Sequence, residues 1–138
     1  MMTATVLAKE SNVSLYTVRH YTRIGLLKPG RNTQNNYKVY QPSDAVRVRF
    51  IKAAGGLGFS LSEIADILGE AKHGNSPCPM VREIIVRRIE ENERKIKAMQ
   101  KLQRKMKKSL KDWSKMENSM PNGDSVCHLI ESVGENAK

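Results

Sequence analysis

The sequence predicts a mainly α-helical fold in which a winged helix-turn-helix domain is followed by one long helix. Three observations support this prediction. Two short helical patterns meet at a tight turn near Asn12, a turn-rich basic segment follows them, and an apolar repeat with steps of three and four residues occupies the second half of the chain. With 138 residues and 39% hydrophobic content, we expect one small globular core plus an extended arm.

The first two helices are predicted from their ends. Residues 5–10 (TVLAKE) form a short helix, and Asn12 in its C-terminal turn belongs to the few residue types that tolerate a left-handed backbone. Ser14 is a good N-cap for the second helix, which Gly25 ends. One face of this second helix packs, so its other faces and its cap form a candidate DNA-reading surface. The candidates are Ser14, Tyr16, Thr17, Arg19, His20 and Tyr21.

The segment from Leu27 to Tyr40 predicts a two-stranded wing. Its first part is dense in Pro, Gly and Asn, and its end alternates Tyr37 and Val39 with Lys38 and Tyr40. Tyr37 and Lys38 suit phosphate contacts, which position a protein on DNA without reading its sequence. A solvated loop is the alternative interpretation.

Two further helices are predicted to supply much of the core. Ser43 can cap a helix over residues 44–56, which closes with two glycines. Ser60 and Glu63 form a capping box that starts the next helix, which ends near Gly69. The side chains of this box can satisfy each other's backbone donors, so the motif is structural and not catalytic.

Cys78 follows a break that is rich in Gly, Asn and Pro. Pro79 suits the first position of a new helix, which places Cys78 at the helix N-terminus, where the backbone dipole favours a thiolate. The other cysteine of the sequence is Cys127. A structural disulfide is not expected in a reducing cytosol, so the two residues are incidental free thiols, metal ligands or a redox switch.

A coiled-coil seam is predicted along the helix that starts near Pro79. Apolar residues dominate positions that alternate steps of four and three residues. Such a stripe needs a partner, because a small domain offers nothing to bury it against. Two polar residues in the seam weaken it but can fix register and partner choice. The seam residues are Ile85, Ile89, Asn92, Ile96, Met99, Gln103, Met106, Leu110 and Trp113.

The remaining surface of the long helix is strongly basic between Arg87 and Lys111. A solvated outer face is the simpler interpretation of this charge. A second nucleic-acid contact is the alternative, because Lys and Arg side chains that neutralise phosphates release condensed counterions.

The overall composition favours a polyanionic partner. The formal net charge is +10 and the pI is near 9.8, which favours nucleic acid, with a membrane surface as the competing polyanion. No apolar run approaches the ~20 residues of a spanning helix and the N-terminus lacks a secretion pattern, so we expect a cytoplasmic protein without a membrane partner. No nucleophile, base and oxyanion-donor set stands out, so no enzyme is predicted.

Together these segments resemble the MerR family of bacterial transcription regulators. The resemblance is carried by VLAKESNVSLYTVRHYTRIGLLKPGR, by the wing NYKVY and by FIKAAGGLGFSLSEIADIL, and it extends through the long helix to CHLIESV. It implies a winged helix-turn-helix homodimer joined by an antiparallel coiled coil. It also implies bent and undertwisted promoter DNA, on which effector binding realigns promoter elements for RNA polymerase.

The resemblance also assigns roles to single positions. Two helix residues match family contacts to base edges and backbone, and three wing residues match wing contacts. Departures occur at His20, where Tyr or Phe is usual, at Lys38, where Arg is usual, and in the wing tip NTQNN, which replaces the commoner glycine turn. The operator sequence therefore does not follow from the family. The matching positions are Arg19, Tyr21, Arg31, Tyr37 and Lys38.

The effector implied by the resemblance is a thiophilic divalent metal ion such as Hg, Cd, Pb or Zn, and no organic cofactor is expected. Cys78 matches a cysteine that distinguishes divalent-ion sensors from copper sensors, and Cys127 matches the far cysteine of the metal loop. Trp113 stands in place of the near cysteine of that loop. Two thiolates suit mercury, and a nitrogen or oxygen ligand would complete a site for the other ions. The candidate further ligands are His128, which we favour, Asp112, Glu117 and His73.

Two alternatives remain open. One is a redox or electrophile sensor that uses the same two thiols. The other is an architectural DNA-binding protein without an effector, in which the cysteines are incidental.

The domain organisation that follows has four parts. Residues 1–69 form the winged helix-turn-helix domain, residues 70–79 a hinge, and residues 80–117 the dimerisation helix. Residues 118–138 form an effector-binding loop and a tail, which begins with a Pro-Asn-Gly-Asp loop and continues as a short amphipathic helix docked on the long one.

Overall fold

The computed structural model describes residues 1–135, in which six helices and two strands follow one another. These elements confirm the mainly α fold with a helix-turn-helix, a wing and a long helix. The chain divides into two compact units, Met1–Arg88 and a second unit from Ile89 onward. In chain order the elements are α1 (Ala4–Ser11), α2 (Leu15–Arg23), β1 (Gly30–Arg31), β2 (Lys38–Val39), α3 (Pro42–Gly56), α4 (Leu61–Lys72), α5 (Cys78–Trp113) and α6 (His128–Glu135).

The helix-turn-helix forms at the predicted caps. Asn12 takes a left-handed conformation (φ 56°, ψ 45°) directly after α1. The hydroxyl of Ser14 accepts a hydrogen bond from the backbone N–H of Thr17 at 3.0 Å and so caps α2. Gly25, with a φ of +86°, closes α2, because this backbone conformation strains residues that carry a Cβ atom. Local chemistry therefore sets both ends of the turn.

The wing is a short antiparallel pair of strands, with Gly30 opposite Val39 and Arg31 opposite Lys38. Its tip turns through Asn36, which takes a left-handed conformation with a φ of 60°. Asparagine tolerates this conformation better than other residues with a side chain, so it supplies the turn for which glycine is the commoner choice.

Tyr40 anchors the base of the wing in the core of the first unit, where it is 1% exposed. Its backbone pairs with Met2: the Met2 N–H donates to the Tyr40 carbonyl at 2.8 Å, and the Tyr40 N–H donates to the Met2 carbonyl at 2.7 Å. The N-terminus of the chain therefore extends the edge of the wing. The sequence pattern did not predict this pairing.

Two clusters of buried apolar residues hold the first unit together. The first cluster joins α1, α2, Tyr40 and α3, and the second joins α3, α4 and the start of α5. Burying apolar side chains is the main source of stability in such a domain. The largest fully buried side chains are Tyr40, Leu7, Leu27, Ile51, Ile64, Ile67, Val18 and Val48.

The start of α3 differs from the prediction. Its N-cap is Gln41, whose N–H donates to the carboxylate of Asp44 at 2.8 Å, and Pro42 takes the first helical position. Ser43 therefore lies inside the helix instead of capping it. Val46 is 60% exposed although it is apolar, because the buried face of α3 runs through positions 45, 48, 51 and 54.

The start of α4 is the predicted capping box. The Ser60 N–H donates to Glu63 Oε1 at 2.8 Å, and the Glu63 N–H donates to the Ser60 hydroxyl at 3.1 Å. The same Glu63 carboxylate accepts two hydrogen bonds from the guanidinium of Arg88 on α5, at 2.5 and 2.6 Å. Glu63 therefore ties the start of α4 to α5 within the first unit.

The long helix α5 contains 36 residues. The preceding helix, α4, continues to Lys72, three residues past Gly69, so the link between the two helices consists of residues 73–77. The first residue of α5 is Cys78. This helix ends at Trp113, whereas the predicted dimerisation helix extended to residue 117. Next to this end, the Ser114 hydroxyl donates to the Lys111 carbonyl at 2.6 Å, a local bond that competes with further helix. No helix within residues 1–135 is long and apolar enough to cross a membrane.

The predicted seam is uncovered along the second unit of a single protomer. Ile96, Met99, Met106 and Leu110 are between 55% and 68% exposed. A continuous apolar stripe of this kind on a helix marks an interaction surface.

The tail packs on the end of α5. The indole Nε1 of Trp113 donates a hydrogen bond to the carbonyl of Leu129 on α6 at 2.8 Å. Beside this bond, an apolar groove of about 270 Å³ separates the two helices, with Leu102 and Met106 on one side and Ile130 on the other.

Candidate nucleic-acid interface and thiol positions

A groove of about 810 Å³ lies between the N-terminus of α1, one side of α2 and the wing. Four of the predicted DNA contacts line it, one from the helix and three from the wing. The structure thus brings together residues that are up to 19 positions apart in the sequence, because Tyr40 fixes the wing beside α2. The four residues are Arg19, Arg31, Tyr37 and Lys38.

The lining of this groove is positively charged. It contains the guanidinium groups of Arg19, Arg23 and Arg31 and the ammonium group of Lys38, and none of its described lining residues carries a carboxylate. Cations gathered around a concave surface focus the local potential and attract phosphates. The groove is therefore suited to the backbone of DNA.

The N-terminus of α1 adds backbone donors to the same groove. Thr3 caps α1, since its hydroxyl accepts from the Val6 N–H at 3.3 Å, and Thr3, Ala4 and Thr5 line the groove. The first N–H groups of a helix have no partner inside it, and the helix dipole is positive at this end. These amides can hydrogen-bond a phosphate oxygen.

The exposed face of α2 carries an aromatic pair next to a cation. Tyr16, 69% exposed, stacks on His20 with ring centroids 6.0 Å apart and an angle of 7° between the planes. The guanidinium of Arg23 lies 3.0 Å from His20 Nδ1. Positions 16, 20 and 23 share one side of the helix, so this row presents two flat rings and a cation on one face of α2.

The other predicted helix residues have partly structural roles. Ser14 and Thr17 are joined at the start of α2, with their hydroxyl oxygens 2.8 Å apart. Tyr21 is half-buried and packs against both apolar clusters. A DNA contact by Tyr21 would have to use the exposed part of its side chain.

The wing residues are held differently from one another. The Nη1 of Arg31 donates to the carbonyl of Asn36 at 2.9 Å, so this guanidinium also braces the wing tip. Tyr37 is 70% exposed, and Lys38 is exposed as well. Tyr37 and Lys38 therefore present their side chains to solvent at the groove.

Seven groove residues were not selected from the sequence: Thr3, Ala4, Thr5, Thr22, Arg23, Asn36 and Tyr40. Thr3 carried a usable signal, because threonine before a short helix is a common N-cap. Arg23 lies in the last turn of α2 and was not among the selected DNA contacts. Thr5 and Asn36 reach the groove only through the three-dimensional approach of α1 and the wing.

The two cysteines are free thiols that lie in different units. Cys78 is exposed at the first position of α5, and its backbone N–H donates to the Ser76 hydroxyl at 3.4 Å. Cys127 is half-buried and directly precedes α6. Within residues 1–135 of one protomer, no three His, Cys, Asp or Glu side chains are grouped so that they could hold a metal ion.

The loop before α6 is ordered by hydrogen bonds around Cys127. The Nε2–H of His128 donates to the Glu117 carbonyl at 2.6 Å, which leaves Nδ1 as its remaining nitrogen. The carboxylate of Glu131 accepts hydrogen bonds from the Ser125 hydroxyl at 2.5 Å and from the Val126 backbone N–H at 2.8 Å. These hydrogen bonds hold the pKa of Glu131 below its usual value, and the bond from Ser125 has the largest effect. The position of Cys127 is therefore braced from both sides.

Two family profiles match the chain. The profile described as "MerR HTH family regulatory protein" matches residues 2–71, which include both helices of the helix-turn-helix and the wing. The profile described as "MerR, DNA binding" matches residues 45–108. The matched regions contain the groove and most of α5.

Similar proteins have been described in several bacteria. The chain is 34% identical over 100 residues to "Heavy metal-dependent transcription regulator 2" of Rhizobium meliloti (strain 1021), covering 72% of this chain and 68% of the relative. It is 32% identical over 98 residues to "Mercuric resistance operon regulatory protein" of Bacillus cereus, covering 71% and 74%.

A solved structure shares the fold over nearly the whole length. It is the transcription regulator PbrR691 from Ralstonia metallidurans CH34 in complex with lead(II), with a TM-score of 0.76 and 22% identity over 96% of this chain and 99% of that chain. The arrangement of helix-turn-helix, wing, long helix and short tail is therefore a known one.

Proposed function

This chain belongs to the MerR family of helix-turn-helix regulatory proteins, which are DNA-binding transcription regulators and not enzymes, and from that premise we propose its mode of action. We propose a homodimer that distorts promoter DNA and switches transcription by RNA polymerase when a thiophilic divalent metal ion binds. We expect it to act in the cytoplasm, where bacterial promoters are.

The observation that carries the DNA-binding part is the cationic groove. Arg23 and Arg31 lie on its two sides, on α2 and on the wing, and the first residues of α1 line it as well. Contacts of this kind fix a protein on the DNA backbone, whereas sequence is read by side chains that reach base edges. We assign base reading to the exposed face of α2, with Arg19 as its main base contact.

The dimer follows from the uncovered seam. An apolar stripe through Ile96, Met99 and Leu110 is stable in water only when another surface buries it. A second copy of α5, running antiparallel, is the partner that we propose. Two copies then present two grooves to the two half-sites of one promoter.

The metal site is assigned to Cys78, Cys127 and His128, with Cys78 from one protomer and the loop residues from its partner. Thiolates and an imidazole are soft or borderline donors, which suit Hg, Cd, Pb and Zn better than Mg or Ca. His128 is arranged as metal-bound histidines commonly are, since one ring nitrogen donates to a backbone carbonyl and the other remains available.

The switch needs a path from α5 to the DNA-binding unit, and Glu63 provides one. A bound metal ion would supply a bond between the start of one α5 and the loop of the partner. Arg88 of α5 is bonded to Glu63, which also caps α4. A small shift of α5 therefore moves α4 with it, and the DNA shape that the dimer favours can change.

The metal assignment is tested by titrating the reduced dimer with zinc, cadmium, lead and mercury salts in a calorimeter. We expect tight binding of at least one ion that is lost in both Cys78→Ser and Cys127→Ser. His128→Gln should weaken zinc, cadmium or lead binding, whereas the matched change His73→Gln should leave it unchanged.

Absence of binding by all four ions would disprove the metal assignment and leave DNA binding intact. A regulator whose DNA binding then responds to peroxide, and loses that response in the two serine variants, would be a thiol-based redox or electrophile sensor. Unchanged regulation in the double serine variant would identify an architectural protein.

The distortion of DNA is tested on a duplex selected from a random pool with the purified protein. Electrophoresis of permuted fragments should show a bend at the selected site, and transcription in vitro should change when the effector is added. A straight site, or transcription that ignores the protein, would contradict this part of the proposal.

A further inference from the structure

The excess positive charge of the chain is concentrated on one stretch of α5. Residues 94–111 contain nine Lys or Arg residues and no Asp or Glu, whereas the rest of the sequence contains 15 basic and 14 acidic residues. The net charge of +10 therefore resides almost entirely on this stretch. The cationic groove on the first unit does not account for it.

Five of these residues form a continuous row along the helix. They alternate steps of four and three residues, which keeps them on one side of a helix with 3.6 residues per turn. The row is about 21 Å long at about 1.5 Å per residue. We call it the basic ridge, and it consists of Lys97, Lys101, Arg104, Lys108 and Lys111.

The basic ridge lies opposite the surfaces that other parts of the protein use. The seam through Ile96, Met106 and Leu110 occupies the other side of the helix, and α6 packs next to it at Leu102 and Trp113. All five ridge side chains are exposed. Neither α6 nor a partner on the seam would cover them.

The charge on the ridge is also poorly compensated inside the chain. Among the described residues, the one ion pair recorded for the ridge joins Lys108 and Asp112 at 3.6 Å. Like charges three or four residues apart destabilise a helix. A helix face that is merely exposed to solvent can carry positive and negative side chains together, as residues 82–93 do with three basic and four acidic residues. The unmixed charge therefore calls for an anionic partner.

We propose that the basic ridge is a second, sequence-independent contact surface for the phosphate backbone of double-stranded DNA. Side chains spaced about 5 Å apart along a straight row can neutralise a series of phosphates and release their counterions. A membrane-binding helix would place its apolar face in the lipid, but here the apolar face is the seam.

The test compares two triple variants of the full chain that remove the same charge. The ridge variant is Lys97→Gln with Lys101→Gln and Arg104→Gln. The control variant is Lys9→Gln with Lys72→Gln and Arg82→Gln, three exposed residues outside positions 94–111. The affinity of each protein for a random-sequence duplex several turns long is measured by fluorescence anisotropy over a range of salt concentrations.

The ridge variant should show a salt slope reduced by about 0.9 for each lost phosphate contact, or up to about 2.7 per protomer. The control variant should keep the wild-type slope. Circular dichroism and sedimentation must show that both variants remain helical and keep the wild-type oligomeric state. Equal slopes in the ridge variant and the control would overturn the proposal.

Two further measurements separate the possible partners and functions. If the ridge variant loses binding to phosphatidylglycerol vesicles but keeps the wild-type slope on DNA, the ridge binds membranes and the proposal is wrong. Arg19→Ala should lose discrimination between operator and random DNA while retaining the ridge contribution to the slope. These measurements therefore distinguish a ridge that does not contact DNA from an α2 that does not recognise the operator.

Discussion

The phenol of Tyr40 and the hydroxyl of Thr22 are hydrogen-bonded at 2.8 Å, and this bond joins the base of the wing to α2. The direction of the bond follows from a second contact. The Thr22 hydroxyl donates to the Val18 carbonyl at 2.8 Å, so its oxygen accepts from Tyr40. The wing and α2, which we propose as the DNA contacts, are therefore joined by a part-buried hydrogen bond.

Replacing Tyr40 with Phe should lower the free energy of unfolding by about 1 kcal/mol, because one buried hydrogen bond is lost while the ring still packs. It should also weaken DNA binding, since the wing is no longer tied to α2. Urea denaturation and anisotropy measure the two effects. Tyr37→Phe is the control, because Tyr37 is 70% exposed and its loss of a hydroxyl should not change stability. Equal stability of both variants would show that the Tyr40 bond is unimportant.

Replacing Arg19 with Ala should weaken binding to the selected operator by about fivefold to 150-fold, the range for one lost base contact of about 1–3 kcal/mol. Binding to random DNA should change less. Arg49→Ala is a matched control, because Arg49 is exposed on α3 and does not line the groove. A variant that discriminates the operator as well as the wild type does would mean that α2 is not the reading helix.

Replacing Ile96 and Leu110 together with Glu should convert the dimer into monomers that bind DNA poorly. Two carboxylates in the seam cannot be buried without a large desolvation cost. Analytical ultracentrifugation gives the oligomeric state directly. Lys101→Glu on the opposite side of α5 should remain dimeric, and a double seam variant that does the same would rule out the seam.

The capping box of α4 should make stability depend on acid pH. The Ser60 backbone N–H, followed by the Ser60 hydroxyl and Arg88, holds the pKa of Glu63 below its usual value. A lowered pKa means that the stabilisation is complete above the ordinary glutamate pKa of about 4.3 and is lost as the pH falls through the lowered value. As the pH is lowered, the urea concentration at the midpoint of unfolding should therefore decrease more steeply for the wild type than for Glu63→Gln. Glu10→Gln, which changes the net charge equally, should follow the wild type; identical curves for all three proteins would argue against this role.

Replacing Trp113 with Phe should release α6 from α5, because the hydrogen bond from the indole to the Leu129 carbonyl is lost. The cost of one such bond, about 0.5–1.5 kcal/mol, corresponds to roughly a twofold to tenfold faster opening of α6. Hydrogen exchange of the amides in α6 measures this opening, with the amides of α4 as an internal reference. Unchanged exchange in α6 would show that its packing does not depend on Trp113.

Short-range features of the fold were predictable because their causes are local. Asn12, Ser14 and Gly25 delimit the helix-turn-helix by backbone chemistry within a few residues, and the Ser60 capping box works in the same way. The seam was visible because its repeat extends over several helical turns.

The features that were missed depend on distant contacts or on competing local signals. The pairing of Met2 with Tyr40 joins residues that no sequence periodicity relates. At α3, Ser43 is a suitable cap by residue type, but Pro42 before it takes the first helical position, so that Gln41 becomes the N-cap. In the groove, Thr3 and Asn36 meet Arg19 only after the wing has packed.

The tip of the wing is ordered by its own hydrogen bonds before any partner binds. Arg31 holds the Asn36 carbonyl, and Asn32 accepts from the Gln34 N–H at 2.8 Å, so the tip has its own internal bonds. Immobilising a flexible side chain at an interface costs about 0.5–1.5 kcal/mol of conformational entropy, and here much of that cost has been met during folding. Pre-organisation of this kind should make association at the wing resemble the docking of a rigid body, with little further ordering of the chain.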